Sequence, residues 1–470
     1  MKKGFTLIEL LAIIIILGLI AVITVPKIQE TIEESKKSAY KTSVHALERE
    51  ADNFYLTKKS SLESFAGCEY NFTNNTNTCE GYEFKGKKPE SGTININKNG
   101  EVGFALKFDD ICYVKKYKLN TLIEVNNKEF ECGKNAYNIP ELVTTGDGLY
   151  ESQTDPERLI YRGEKPNNYI NLKEDGTNDT LYRIVSYEVD GTIKVVRDEK
   201  LSSTIAWDTK NIRIGDSNTY CSNTASYGCN VWGSGTNTLY KGISLGDSFY
   251  YSYYNNASTT TLTNGESGKV GAESTLNIYL NSKTNNSTTS WQPAIKLDNY
   301  IDNHKFNVGG IYYTQVYEGG DKGLLKEKEE ESLLTWTGKI GLLNITEYVE
   351  ASTNPECSSV YSNYKFNYPK YYYQAEGESG KNQHAPTGNA YPCKNGNWIM
   401  YNKAYNQWTI SPNSNGKFSV WNVYQEGYFS NSLAYDVHAV RPAFYLKSDI
   451  ILSGSGTQEN PYYIVDYKNW

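Results

Sequence analysis

Covalent catalysis needs a nucleophile held beside a base, and this chain offers few bases. Its four histidines are His45, His304, His384 and His438. Gly246-Asp247-Ser248 supplies a serine, and Asp436-Val437-His438 supplies an acid and a base far downstream. Ser248, however, lies in a stretch of Asn, Ser, Thr, Gly and Tyr, with no early strand to fix its direction. The cysteines are Cys68, Cys79, Cys112, Cys132, Cys221, Cys229, Cys357 and Cys393. An even count in an exported chain points to disulfides, which would consume the thiols. Pairing sequence neighbours gives Cys68–Cys79, Cys112–Cys132, Cys221–Cys229 and Cys357–Cys393 as the simplest of many connectivities. There is no CxxC for zinc and no HExxH, phosphate loop or dinucleotide fingerprint. Asp175-Gly176 and Asp179 could line a calcium loop, but the EF-hand pattern is not met and an ordinary turn is the expectation. The chain is therefore expected to have no catalytic residue, no metal site and no cofactor, and not to be an enzyme.

The chemically telling residue is at the other end. Glu9 sits at the head of an apolar run from Phe5 to Val25. A spanning helix needs roughly 20 apolar residues, and this run supplies them. An acidic side chain inside such a run costs a few kcal/mol and is rarely carried without a use. Lys2 and Lys3 flank one side only, which predicts a cytoplasmic N-terminus and an exported remainder. A secretory signal peptide is the rival, but its apolar core is usually only about 7–15 residues, with small residues at the cleavage site. Val25-Pro26-Lys27 is a poor site of that kind.

Gly4-Phe5-Thr6-Leu7-Ile8-Glu9-Leu10 resembles the processing motif of type IV prepilins and type II secretion pseudopilins. The resemblance covers about the first 30 residues. It implies that a prepilin peptidase cuts between Gly4 and Phe5 and methylates the new amine. Glu9 would then pair with the Phe5 amine of a neighbouring subunit, so that neither charge is buried alone in a filament core. Pro26 falls where such helices commonly kink, since proline removes an intrahelical bond. The implied partners are the peptidase, other pilin subunits, the assembly platform protein with its ATPase, and the membrane. The implied localisation is a single pass in the cytoplasmic (inner) membrane with the C-terminus outside, then an extracellular filament or the cell surface.

Around that stem the fold class expected is α+β. Residues 1–4 are the leader and 5–26 the membrane and filament helix, which continues to about Leu56. Tyr40, Val44, Leu47, Ala51 and Phe54 fall on one stripe of it, suited to packing on a small domain. Residues 27–135 complete that pilin-like domain. Alternating strands at 93–97 and 101–108 flank Asn99-Gly100, a hairpin signal, and further strands are expected near 111–117 and 122–125. Residues 136–158 read as a linker. Residues 159–470 read as a larger, loop-rich, mostly β ectodomain, with a hairpin around Asp190-Gly191 and a short helix at 274–280.

The segments 339–352, 397–399, 408–411, 440–447 and 454–462, in that order, resemble uncharacterised ectodomains on surface proteins of low-GC Gram-positive bacteria. More distantly they are similar to the formylglycine-generating-enzyme and C-type-lectin fold group. The chemistry of that group has no counterpart here: the copper-binding cysteine pair is missing, and Trp421-Asn422 is followed by Val423 rather than the aspartate of sugar-binding calcium sites. Arg441 is expected to be structural, satisfying a buried carboxylate or carbonyls at a strand start.

Composition narrows the function further. Over 470 residues the net charge is −7, so a generic nucleic-acid surface is disfavoured. Tyrosine is abundant, at 41 residues. Tyr250, Tyr251, Tyr253, Tyr254 and Tyr371 to Tyr373 cluster in loops, where exposed rings could contact sugars or proteins. The function expected is a minor or tip pilin, or pseudopilin, presenting a large domain for adhesion to a surface glycan or protein. The alternatives are a pilin-anchored enzyme acting on surface polymer and a pseudopilin of a secretion or DNA-uptake system.

Overall fold

A computed structural model describes residues 7–61, 65–83, 86–117, 122–125, 132–133, 140, 142–155, 158–209, 230, 232, 274–281, 291, 296–310, 331–332, 335–354, 393–413, 419–425, 427 and 429–465. They fall into two compact units, Met1–Ile139 with Val465–Trp470, and Pro140–Ile464. The class is α+β: one long N-terminal helix, and antiparallel sheets through a mostly strand remainder.

In the first unit, helix α1 runs over Leu7–Ser60, about 80 Å at 1.5 Å per residue. Lys58 and Lys59 close its last turn, where cations favour the dipole. Six strands follow: β1 (Cys68–Asn71), β2 (Thr76–Asn77), β3 (Ser91–Ile96), β4 (Val102–Phe108), β5 (Ile111–Lys115) and β6 (Ile123–Val125). They form one antiparallel sheet in the order β2-β1-β3-β4-β5-β6. Tyr40, Val44, Leu47 and Ala51 are buried against Ile94, Phe104, Leu106 and Phe108. Tyr40 stacks on Phe108 at 5.2 Å, and the Tyr82 hydroxyl donates to the Leu47 carbonyl at 2.9 Å. The β3–β4 turn needs a glycine: Gly100 has φ +86°, and a methyl there would lie 2.1 Å from Tyr55 Cε1. Strands β1 and β2 carry no apolar alternation. Their hairpin is closed by the Cys68–Cys79 disulfide, while Cys112–Cys132 ties β5 to the chain after β6.

The second unit begins earlier than the sequence suggests. The expected linker 136–158 contains β7 (Gly148–Glu151), which pairs with β8 (Leu159–Arg162) and buries Leu149. Its four residues sit among Asp, Gly and Pro turn signals, so they read as loop. Next come β9 (Tyr169–Leu172), β10 (Thr180–Tyr187), β11 (Ile193–Arg197), β12 (Ile205–Ala206), helix α2 (Thr275–Asn281), β13 (His304–Asn307), β14 (Thr335–Gly338) and β15 (Ile340–Gly341). After helix α3 (Ile345–Glu350) come β16 (Gln407–Pro412), β17 (Ser419–Val423), β18 (Phe429–Leu433), β19 (Val437–His438), β20 (Ala443–Leu446), β21 (Leu452–Ser453) and β22 (Tyr462–Ile464). A nine-stranded sheet has the path β15-β20-β11-β10-β9-β22-β21, with β8 on β10 and β7 on β8. Its β9–β22 pair is parallel. Smaller sheets are β12-β19, β13-β14 and β16-β17-β18.

The core of this unit is aromatic. Trp207, Trp232, Trp398, Trp408 and Trp421 are fully buried, with Tyr161, Tyr182 and Tyr348. Two of the indoles bond across the core: Trp398 Nε1 donates to the Tyr161 carbonyl and Trp408 Nε1 to that of Ile205, both at 2.9 Å.

Candidate functional site

The stem is a helix with two different fates along its length. From Tyr40 onward it presents the buried stripe already described. Before that, the described apolar side chains between Leu7 and Ile32 stand in the open: Leu7 is 86% exposed and Val22 is 75% exposed. None of the most apolar part of this stretch is buried. Among the described residues this is the helix long and apolar enough to cross a membrane. Its polar side chains suit such surroundings. The Thr24 hydroxyl donates back to the Ile20 carbonyl at 2.7 Å, which satisfies it without water. Pro26 lies inside the helix, which continues through it. Glu9 lies in the first turns of α1, by its backbone. Gly4 and Phe5 lie outside the described residues.

Of the cysteines, Cys68–Cys79 and Cys112–Cys132 are bonded as paired by neighbour. Cys393 is disulfide-bonded. Cys221, Cys229 and Cys357 lie outside the described residues, as do Ser248, His384 and the tyrosine clusters at 250–254 and 371–373. The downstream acid and base are engaged locally. Asp436 accepts the Leu433 N–H at 3.0 Å, and His438 Nε2 meets Ser432 Oγ at 2.9 Å. Burial pushes the His438 imidazole below its ordinary range. Asp175 caps its own turn: the N–H groups of Asn178 and Thr177 hold its carboxyl well below the usual range. Arg441 donates to the carbonyls of Arg197 and Ile399, both at 2.9 Å, just before β20. Carbonyls are thus among its partners, as expected of a structural arginine.

Two charged clusters in the second unit escaped the sequence. In the first, Arg158 is 3% exposed and holds three carboxylates: Glu188 at 3.0 Å, Glu347 at 3.0 Å and Glu350 at 3.3 Å. Lys194, buried on β11, also bonds Glu347. Burial opposes charge on Glu188, but Arg158 and the Ser186 hydroxyl outweigh it and lower its carboxyl; Lys194 and Arg158 do the same for Glu347. Glu347 also closes a capping box with Asn344 at the start of α3. Every charge is answered within the fold, so this is a cage that fixes α3 against β10 and β11. The second cluster, at Asp198, Lys403 and Arg441, is less complete.

No family model, no curated protein and no solved structure matches the chain.

Proposed function

We propose that the chain is a minor or tip subunit of a type IV pilus or a related pseudopilus, presenting the Pro140–Ile464 unit outside the cell for adhesion or ligand binding. One observation carries this reading: a single continuous helix is bare and apolar in its first half and forms the core of a small antiparallel domain in its second. A plain membrane anchor needs only the first half. Glu9 within the apolar run adds to the argument, because a filament gives that carboxylate an amine to meet. In this reading Gly4 and Phe5 are the processing site, and the partners are prepilin peptidase, other pilins and the assembly machinery.

The disulfides suit an oxidising exterior. The bulk of the second unit favours a tip position, because a domain of that size is hard to repeat along a tightly packed helical filament. For its fold the proposal remains lectin-like. The motif segments fall on its framework: 408–411 in β16, 440–447 around β20 and 454–462 in the turn leading to β22.

Intact mass spectrometry of the protein from its native cells tests the reading. A chain beginning at N-methylated Phe5 is expected. A chain still beginning at Met1, in cells with active peptidase, overturns it. Labelled antibody on sheared filaments then tests position: label confined to ends is expected, and uniform decoration refutes the tip.

A further inference from the structure

The second charged cluster holds more positive than negative charge. Asp198 Oδ1 lies 3.4 Å from Lys403 Nζ and 3.6 Å from Arg183 Nη1. Burial works against the Asp198 charge, but Lys403, Arg441 and Arg183 outweigh it and lower its carboxyl. Arg183, Lys403 and Arg441 are all buried. Burial pushes Arg183 down to about 10, so it keeps its charge at neutral pH.

Beyond Asp198, the acid that reaches Lys403 is Glu199. Its Oε1 accepts from Lys403 at 2.7 Å, its Oε2 accepts from the Tyr405 hydroxyl at 3.4 Å, and its side chain is 64% exposed. Arg441 spends Nε and Nη1 on the Arg197 and Ile399 carbonyls and on Gln407 Oε1. Its Nη2 is buried with no hydrogen-bond partner among the described residues. A buried donor left unmade and an excess of buried cations are both costly, and both are relieved by one incoming anion.

We propose that Arg441, Lys403 and Tyr405 form a binding site for a small carboxylate ligand, with the Glu199 side chain as its built-in stand-in. The Glu199 backbone is pinned, since Arg197 Nη1 donates to its carbonyl at 2.9 Å, while its carboxylate reaches in from solvent. Rotating that side chain outward frees the Tyr405 hydroxyl and leaves Lys403 Nζ with Asp198. Burial pushes Tyr405 up to about 12, so it remains a donor. A ligand carboxylate then takes these two groups and answers Arg441 Nη2, a charge-assisted bond of the strong kind. In a chain of net charge −7 this is a local reversal of sign, which concentrates anions. The site stands whether or not the stem belongs to a filament.

The test is calorimetric melting of the full chain in detergent, titrated with sodium acetate and with sodium chloride and sulfate at matched ionic strength. Acetate is expected to raise the melting temperature of the Pro140–Ile464 unit above the chloride control. Glu199→Gln, at a side chain mostly in solvent, removes the competitor and should tighten acetate about tenfold. Lys403→Met should abolish the response; if that variant does not fold, Glu199→Gln decides alone. Equal responses to acetate and chloride in wild type and Glu199→Gln would overturn the site, leaving water on Arg441. A response to sulfate with none to acetate would overturn the carboxylate assignment.

Discussion

The two units solve the problem of a stable interior in opposite ways. The first packs apolar side chains of one helix onto one sheet and staples the edges with disulfides. The second buries charge: an arginine and a lysine among three glutamates, within an aromatic framework. An apolar interior loses stability in proportion to the volume removed. A buried ion network fails abruptly, because removing one partner strands the others. The two units should therefore respond to different insults.

Arg158→Met attacks the second unit at the centre of its cage, leaving three carboxylates to one lysine. It is expected to cost about 3–5 kcal/mol, with the Pro140–Ile464 transition moving down in calorimetry and the other unchanged. A matching fall in both transitions would break the comparison. Leu47→Ala is the converse, a cavity beneath β4 worth about 3 kcal/mol. Faster amide exchange in β3 to β5 alone is the expected signature.

Gly100→Ala is smaller, about 1–2 kcal/mol, since alanine must adopt positive φ and displace Tyr55. Its measure is the urea midpoint of the first unit, and an unchanged midpoint would count against the β3–β4 turn. The mildest probe is pH. Glu188 and Glu347 are held below their ordinary range in the fold, so their contribution is present above the unfolded carboxylate range and is lost as pH falls through the folded values. Acid should therefore lower the melting of the second unit below about pH 4 before it lowers that of the first. Equal acid sensitivity would remove the distinction.

What was legible in the sequence was what is local. Asn99-Gly100 and Asp190-Gly191 specify their hairpins through turn chemistry alone, and Gly100 and Gly191 do take positive φ. The spacing from Tyr40 to Ala51 marks the buried stripe because a helix repeats every few residues. The cage was not legible. Arg158 meets Glu347 across 189 positions, and each residue alone looks like ordinary surface charge. One signal was available: Asn344-Ile-Thr-Glu347 has the spacing of a capping box. Strand β7 was hidden by its brevity. At Arg441 the carbonyl partners were foreseeable, but an Nη2 with no hydrogen-bond partner among the described residues is a fact of packing that no pattern carries. Gly4 and Phe5 remain matters of sequence, since they lie outside the described residues.

The placement of tryptophan has an optical consequence. The chain has 8, of which Trp207, Trp232, Trp291, Trp336, Trp398, Trp408 and Trp421 lie within Pro140–Ile464, and Trp470 in the terminal tail. The stem helix and its sheet contain none. Trp207 and Trp232 stand 5.4 Å apart edge to face, and Trp232 and Trp336 6.0 Å apart, close enough for their excited states to exchange energy. Seven of the eight indoles therefore report the second unit, and Trp470 alone belongs to the other. The unfolding of the second unit can therefore be followed in light without a dye.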